Sequence, residues 1–259
     1  HVIDQIQFSV EKALIIENRS NLTGNIVNSM GADGKGSVGL FGSEITGNVG
    51  VSTGGGKSLK KLEVNTNNST ITGNVYVDEI EVNDKTLTIT GDISGAKAKT
   101  AGAGSDQVGA DLVIKGDAGV LKFGGATFTG KIEGDVNDTT LEFNGDATQT
   151  MDGKIGATTA VNIVKFNKAQ IVNLNGTAKA TNFEYQVDGT TVNANANLTG
   201  AVSFHNFDST LSLADGVDVA GAIASGALAK NSFKGTINIA GASTVSGNIG
   251  IGGTVVDNF

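Results

Sequence analysis

Short runs along the chain alternate apolar and polar residues with period two, as in Thr86-Leu87-Thr88-Ile89-Thr90, Thr236-Ile237-Asn238-Ile239 and Glu79-Ile80-Glu81-Val82. Such alternation places every second side chain on one face, the mark of a half-buried strand. Glycine and asparagine interrupt the runs, and both turn a chain through positive φ at low steric cost. Helical periodicity is nearly invisible. Its best candidate, residues 220–230, contains Gly221 and Gly226.

The interruptions recur. A small polar residue, a glycine, a variable residue and an aliphatic follow one another as Thr23-Gly24-Asn25-Ile26, Thr46-Gly47-Asn48-Val49, Thr72-Gly73-Asn74-Val75 and Thr90-Gly91-Asp92-Ile93. Later copies are Thr129-Gly130-Lys131-Ile132, Asp152-Gly153-Lys154-Ile155, Thr199-Gly200-Ala201-Val202 and Ser246-Gly247-Asn248-Ile249, with Gly176 and Gly221 falling in the long gaps. The first four glycines are 23, 26 and 18 residues apart. Between Gly91 and Gly130 the period is unclear. A repeat of this size marks a solenoid, in which each coil buries its apolar face against the next.

Phenylalanines supply a second register. Phe123, Phe143, Phe166, Phe183, Phe204 or Phe207, Phe233 and Phe259 are spaced by roughly one repeat, which predicts a stacked core column. The predicted fold is all-β, a right-handed parallel β-helix (β-solenoid) of 20–26 residues per coil with protruding loops, running over 1–259 as a single elongated unit. About eleven coils at strand spacing make a rod on the order of 50 Å long. Candidate loops are 30–42, 54–61 and 97–109.

Composition sharpens this picture. Thirty-eight glycines with no proline, cysteine or tryptophan depart from an ordinary globular chain. The lack of proline suits continuous hydrogen-bonded ladders. The lack of cysteine excludes thiolate metal sites and thiol nucleophiles. A net charge of −8 and a pI near 4.7 have the wrong sign for phosphate-backbone binding, so nucleic acid is not expected as a partner. The one basic cluster, Lys57, Lys60 and Lys61, reads as a solvated loop. No run is long enough for a membrane-spanning helix, and the start at His1, with no signal peptide, reads as a mature or excised piece.

Several strings that can carry chemistry lack their context. Gly34-Lys35-Gly36-Ser37-Val38-Gly39 matches a dinucleotide fingerprint but has no helix to follow it. Gly54-Gly55-Gly56-Lys57-Ser58 resembles the end of a phosphate loop, with Val51 where the first glycine belongs. Gly50-Val51-Ser52-Thr53-Gly54 matches a nucleophile elbow, but a glycine run follows Ser52 and His205 is the only downstream histidine. Asp78, Glu79, Glu81 and Asp84, or Asp135 and Asp138, could offer oxygen ligands to calcium but lack a calcium-loop spacing. No catalytic, cofactor-binding or metal residue is therefore assigned, no cofactor is expected, and the chain is not read as an enzyme. The enzymatic alternative is a β-helix lyase or glycosidase. Paired carboxylates speak for it, and a chain with only Tyr76, Tyr185 and one arginine, Arg19, speaks against it.

The repeats resemble the passenger regions of bacterial autotransporters, most of all rickettsial surface antigens of the outer-membrane-protein-B type. The stretches that carry the resemblance are Leu174-Asn175-Gly176-Thr177, the run from Thr236 to Gly250 and the Thr-Gly-Asn units near the beginning. It implies a passenger displayed outside the cell through a membrane barrel that this chain does not contain. Its partners would be a host-cell surface protein, in adhesion or invasion, or neighbouring copies of itself, in a structural surface layer. No residue-level partner site follows from it.

Overall fold

The computed structural model describes residues 2–17, 20–51, 57–96, 109–135, 138–168, 170–205, 207–224 and 235–250. Among these, 24 short strands form one parallel sheet wound as a right-handed β-helix. Each coil lays down apolar residues on three faces, and each face is a ladder running the length of the rod.

On the first face, ten one-coil steps connect Ile6, Ile26, Val49, Val75, Ile93, Phe128, Met151, Leu174, Ala194, Leu213 and Ile239. The second face runs from Leu14 through Val38, Leu62, Ile80, Leu112, Ile132, Ile155, Ala178 and Leu198 to Val219 and Val245. The third begins aliphatic, with Leu22, Ile45, Ile71 and Ile89, and turns aromatic at Phe123, Phe143, Phe166 and Tyr185. At a strand spacing of about 4.8 Å, ten steps make a rod roughly 50 Å long.

The tight corners are built by one five-residue string: apolar, outward, glycine, outward, apolar. The two flanking apolar side chains point inward onto adjacent faces. Leu22-Thr23-Gly24-Asn25-Ile26 turns from the third face to the first, and the strings at Gly47, Gly73 and Gly91 do the same one coil apart. Phe128-Thr129-Gly130-Lys131-Ile132 instead turns from the first face to the second, as do the strings at Gly153 and Gly176. Leu198-Thr199-Gly200-Ala201-Val202 turns from the second face to the third, followed by Gly221 and Gly247. The glycine corner thus moves around the cross-section twice along the rod. The first move explains the break in period after Gly91: Gly125 continues the old corner, its place above Gly91 being so close that a Cβ would lie 2.2 Å from the Gly91 carbonyl oxygen, and Gly130 starts the new one.

Glycine is required at these corners because backbone stacks on backbone. A Cβ at Gly153 would lie 1.6 Å from the Gly130 carbonyl oxygen, and Gly153 has φ 153° besides.

Two expectations from the sequence are corrected. The aromatic column takes Tyr185, and not Phe183, above Phe166: their ring centroids are 5.2 Å apart, and Tyr185 stacks on Phe204 at 4.6 Å. Phe183 is buried two residues earlier, paired with Val164 and Val202. Phe207 is only half-buried, while Phe233 and Phe259 lie outside the described residues. The expected loop 30–42 contains the strand Ser37–Leu40, whose Val38 and Leu40 are core residues, so only its first part is irregular. Likewise 54–61 runs into the strand Leu59–Val64, while 54–56 and 97–108 lie outside the described residues. Observed coils span 18 to 26 residues, and 35 where the step from Asp92 to Thr127 includes 97–108.

Candidate functional site: a groove over four coils

The residue after each N-terminal corner glycine forms a ladder of its own. Asn25 Oδ1 accepts a hydrogen bond from the backbone N–H of Asn48 at 2.9 Å, Asn48 Oδ1 from Asn74 at 2.8 Å, Asn74 Oδ1 from Asp92 at 2.9 Å and Asp92 Oδ1 from Thr127 at 2.8 Å. Each side chain thereby satisfies an N–H in the next coil at a corner where the sheet ladder is interrupted. The Thr-Gly-Asn repeat therefore does two structural jobs, close stacking by glycine and hydrogen bonding by asparagine. A similar ladder recurs toward the C-terminal end, where Asn197 Oδ1 accepts from Asp218 N–H and Asp218 Oδ1 from Thr244 N–H.

Beside this ladder lies an open groove of about 260 Å³ lined from four successive coils. One wall is the row Asn48, Asn74, Asp92 and Thr127, and the other contains Tyr76, Ser94 and Thr129. The Nδ2 groups of Asn48 and Asn74 make no hydrogen bond among the described residues, since only their oxygens serve the ladder. Burial raises the pKa of the Tyr76 phenol, and the charges of Asp33 and Asp78 add to the effect, so it stays a neutral donor and acceptor. Asn48, Asn74 and Asp92 of one wall share a position in the Thr-Gly-Asn repeat, whereas Tyr76, Ser94 and Thr129 of the other carry no shared motif.

No family model, curated protein or solved structure matches the chain. Function must be argued from the surface itself.

The residues singled out in the sequence fall mostly into structural roles. The lysine cluster stays on one coil but is neutralised by carboxylates from that coil and others: Lys57 lies 3.7 Å from Asp33, Lys60 3.5 Å from Glu11, and Lys61 3.3 Å from Glu63 and 2.5 Å from Glu81. Glu81 also pairs with Lys115. Lys122, Glu142, Lys165 and Glu184 stand in register on successive coils of the third face, so the outer surface carries alternating charge and little net field there.

The second half of the dinucleotide-like string is itself part of the strand Ser37–Leu40 and opens no helix, which removes the helix N-terminus that would hold a pyrophosphate. Ser52 and Gly54–56 of the elbow and phosphate-loop strings lie outside the described residues. His205, at φ 45°, is half-buried beside Phe204, with Nε2 3.9 Å from Glu184 and no hydrogen bond. Asp78 accepts from the N–H of Ala96 at 3.0 Å, and Asp138 from Asn162 Nδ2 at 3.0 Å. Asp84 sits at a turn with φ 51°. Among the described residues no three His, Asp or Glu side chains converge to hold a metal.

Sequence reasoning missed Glu133, the one charged residue among the described residues that is buried. Its carboxylate accepts from the N–H groups of Thr158 and Thr159, at 3.0 Å each, and so pins the turn of the next coil. It also missed Gln149, whose Nε2 donates to the carbonyls of Phe123 and Gly125 at 2.9 and 2.8 Å. Both plug a wide corner with one polar side chain. The available hint is a glutamate or glutamine at the end of an alternating strand, Glu133 closing Thr127–Glu133 and Gln149 opening Gln149–Ile155.

Proposed function

We propose that this chain is a surface-displayed passenger segment of a bacterial outer-membrane autotransporter, acting outside the cell in adhesion to or invasion of host cells. The observation that carries the reading is the parallel solenoid itself: three apolar columns inside and a polar outer surface along the described coils, on a chain of net charge −8. Such a rod offers extended surface for broad or multivalent contact, and its coils can add one at a time to an existing edge, which suits folding after export in an extended form. The resemblance of the Thr-Gly-Asn repeats to autotransporter passengers supports the same reading.

The test is binding of the labelled, purified chain to cultured host cells across ionic strength. A net charge of −8 predicts contacts with basic host surfaces. Raising salt from about 0.01 M to about 1 M shortens the screening length from roughly 30 Å to roughly 3 Å and should release most of the bound chain. Binding that is absent at all salt concentrations, or indifferent to them, would count against it.

A surface-layer role is the second reading, and one feature favours it. The row Lys122, Glu142, Lys165 and Glu184 alternates in sign along successive coils, so it can pair with the same row on a neighbouring copy of the chain. Concentration-dependent association in sedimentation, without cell binding, would select this reading over the adhesin.

A further inference from the structure

We propose that the groove beside Tyr76 binds an uncharged glycan lying along the rod axis. The inference adds to the adhesin reading, on which it rests for its biological setting, a contact that salt does not screen: the part of cell binding that survives about 1 M salt is the part the groove carries.

The shape comes first. Four successive coils contribute to the lining, which at about 4.8 Å per coil makes the groove roughly 15 Å long. That length suits a linear chain of a few sugar rings better than a compact metabolite. The strands beneath are already paired on both sides, Val75 with Val49 and Ile93, and Ile93 with Phe128. No backbone edge is free there to accept a peptide strand, so recognition falls to side chains.

Those side chains are the second argument. The Nδ2 amides of Asn48 and Asn74 stand one coil apart as donors, held in place because their oxygens are committed to the ladder. Asp92 keeps a carboxylate oxygen beyond the one bound to Thr127 N–H. The hydroxyls of Ser94, Thr127 and Thr129 can donate or accept, and Tyr76 adds an aromatic ring with a phenol that stays protonated. Mixed donors and acceptors around one ring match a polyhydroxylated ligand whose sugar rings each have an apolar and a polar side.

Charge supplies the third. Asp92 in the wall, with Asp33 and Asp78 close enough to act on the Tyr76 phenol, disfavours an anionic chain. A single carboxylate among amides and hydroxyls is a poor trap for a cation. An uncharged glycan is what remains.

The experiment is a titration of the whole chain, by heteronuclear NMR, with cellohexaose, maltohexaose and mannohexaose, and with an oligogalacturonate as the acidic control. Saturable shifts at Tyr76, Ser94 and Thr129 are expected with at least one neutral hexasaccharide and not with the acidic one. Tyr76→Ala should weaken that binding about tenfold or more, the effect of losing a central contact, while Tyr76→Phe retains most of it. Thr129→Arg, which fills the groove from an outward position, should abolish it with the circular dichroism unchanged. Absence of saturable shifts with every neutral probe, equal binding of the acidic one, or affinity untouched by Tyr76→Ala and Thr129→Arg would each overturn the proposal. Salt-resistant cell binding that persists in Tyr76→Ala would overturn the groove as its contact site and leave the adhesin reading standing. Oligosaccharide binding without cell binding would do the reverse.

Discussion

The N-terminal and C-terminal parts of the rod solve the same problem with different residues. Up to Ile89 the third face is filled by aliphatic side chains, and the glycine corner beside it carries the asparagine ladder from Asn25 to Asp92. From Phe123 onward that face is an aromatic stack, with centroid separations falling from 6.2 Å at Phe123–Phe143 through 5.6 and 5.2 Å to 4.6 Å at Tyr185–Phe204. Bulky rings go with a wider turn on leaving that face. From Phe123 to Phe128 the chain takes five residues, but from Phe143 to Met151 it takes eight, and the tight glycine corner is now found between the first and second faces. Moving the corner lets ring size change without changing the number of faces. Stability then comes from close backbone stacking and hydrogen-bonded side-chain caps in both parts, and from ring contacts in the second.

The largest effect is expected where both parts depend on the same thing. Gly153→Ala forces a Cβ against the Gly130 carbonyl at a φ that L residues avoid, and backbone cannot rotate away as a side chain would. We expect a loss of about 3 kcal/mol or more in urea unfolding, in line with strained backbone combined with overpacking. Gly216→Ala is the control: φ is 73°, but nothing lies within 4 Å of its Cβ, so only the left-handed backbone cost of about 1–2 kcal/mol remains. Equal losses at the two positions would show that conformation, and not close stacking, is what glycine supplies.

Next comes the aromatic stack. Phe166 is buried between Phe143 and Tyr185, and Phe166→Ala should cost about 3–5 kcal/mol, while Ile71→Val in the aliphatic part should cost about 0.5–1.5 kcal/mol. The informative comparison is Phe166→Leu. If the rings contribute only area, it should behave like an aliphatic swap of under about 1.5 kcal/mol. A larger loss, by roughly 0.5–1.5 kcal/mol for each ring pair broken, would show that ring geometry matters as well.

Much of this was legible before the fold was seen, and for definite reasons. The apolar–outward–glycine–outward–apolar string is local, so its corners could be read one by one. Which pair of faces a corner joins is not local, because Gly24, Gly130 and Gly200 sit in the same pattern of residues; the two moves of the corner hid inside spacings that looked like irregular repeats. Phe183 was placed in the aromatic column because phenylalanines were counted and tyrosine was not. Alternation puts Phe183 and Tyr185 on the same side, and only the pairing with Phe166 decides between them. Ser37-Val38-Gly39-Leu40 was read as loop because glycine obscured a short alternation. One wall of the groove, Asn48, Asn74 and Asp92, is written in the repeat, but Tyr76, Ser94 and Thr129 of the other come together only through the register of the coils.

The asparagine ladder should give a smaller effect, confined to the N-terminal part. Asn48→Ala removes the acceptor for the Asn74 N–H, and with solvent nearby the loss should be about 1 kcal/mol. Asn48→Asp should recover most of it, because Asp92 already serves a step of the same ladder, two coils on, with a carboxylate. Hydrogen exchange at the Asn74 amide reads the same contact directly: protection should fall in Asn48→Ala and return in Asn48→Asp. Unchanged protection in Asn48→Ala would mean that the ladder follows from stacking and adds nothing to it.

The smallest effect belongs to the charges outside the second face. Burial would raise the Glu81 carboxyl, but hydrogen bonds from Lys115 and Lys61, with their charges, outweigh it and hold the pKa below the usual value. A carboxylate whose pKa is lower in the folded chain than in the unfolded one stabilises the fold at pH values above the unfolded value. That stabilisation is lost as pH falls below about 4 and through the folded pKa. Glu81→Gln should therefore be less stable than the parent at pH 7, by about 1 kcal/mol or less, given a partly exposed network. The difference should shrink toward zero as the pH is lowered past the folded value, and it should shrink at pH 7 in 1 M salt. A deficit that stays constant across both series would assign the role of Glu81 to packing of its side chain over the ladder, and would leave the N-terminal part held by close stacking and the asparagine ladder.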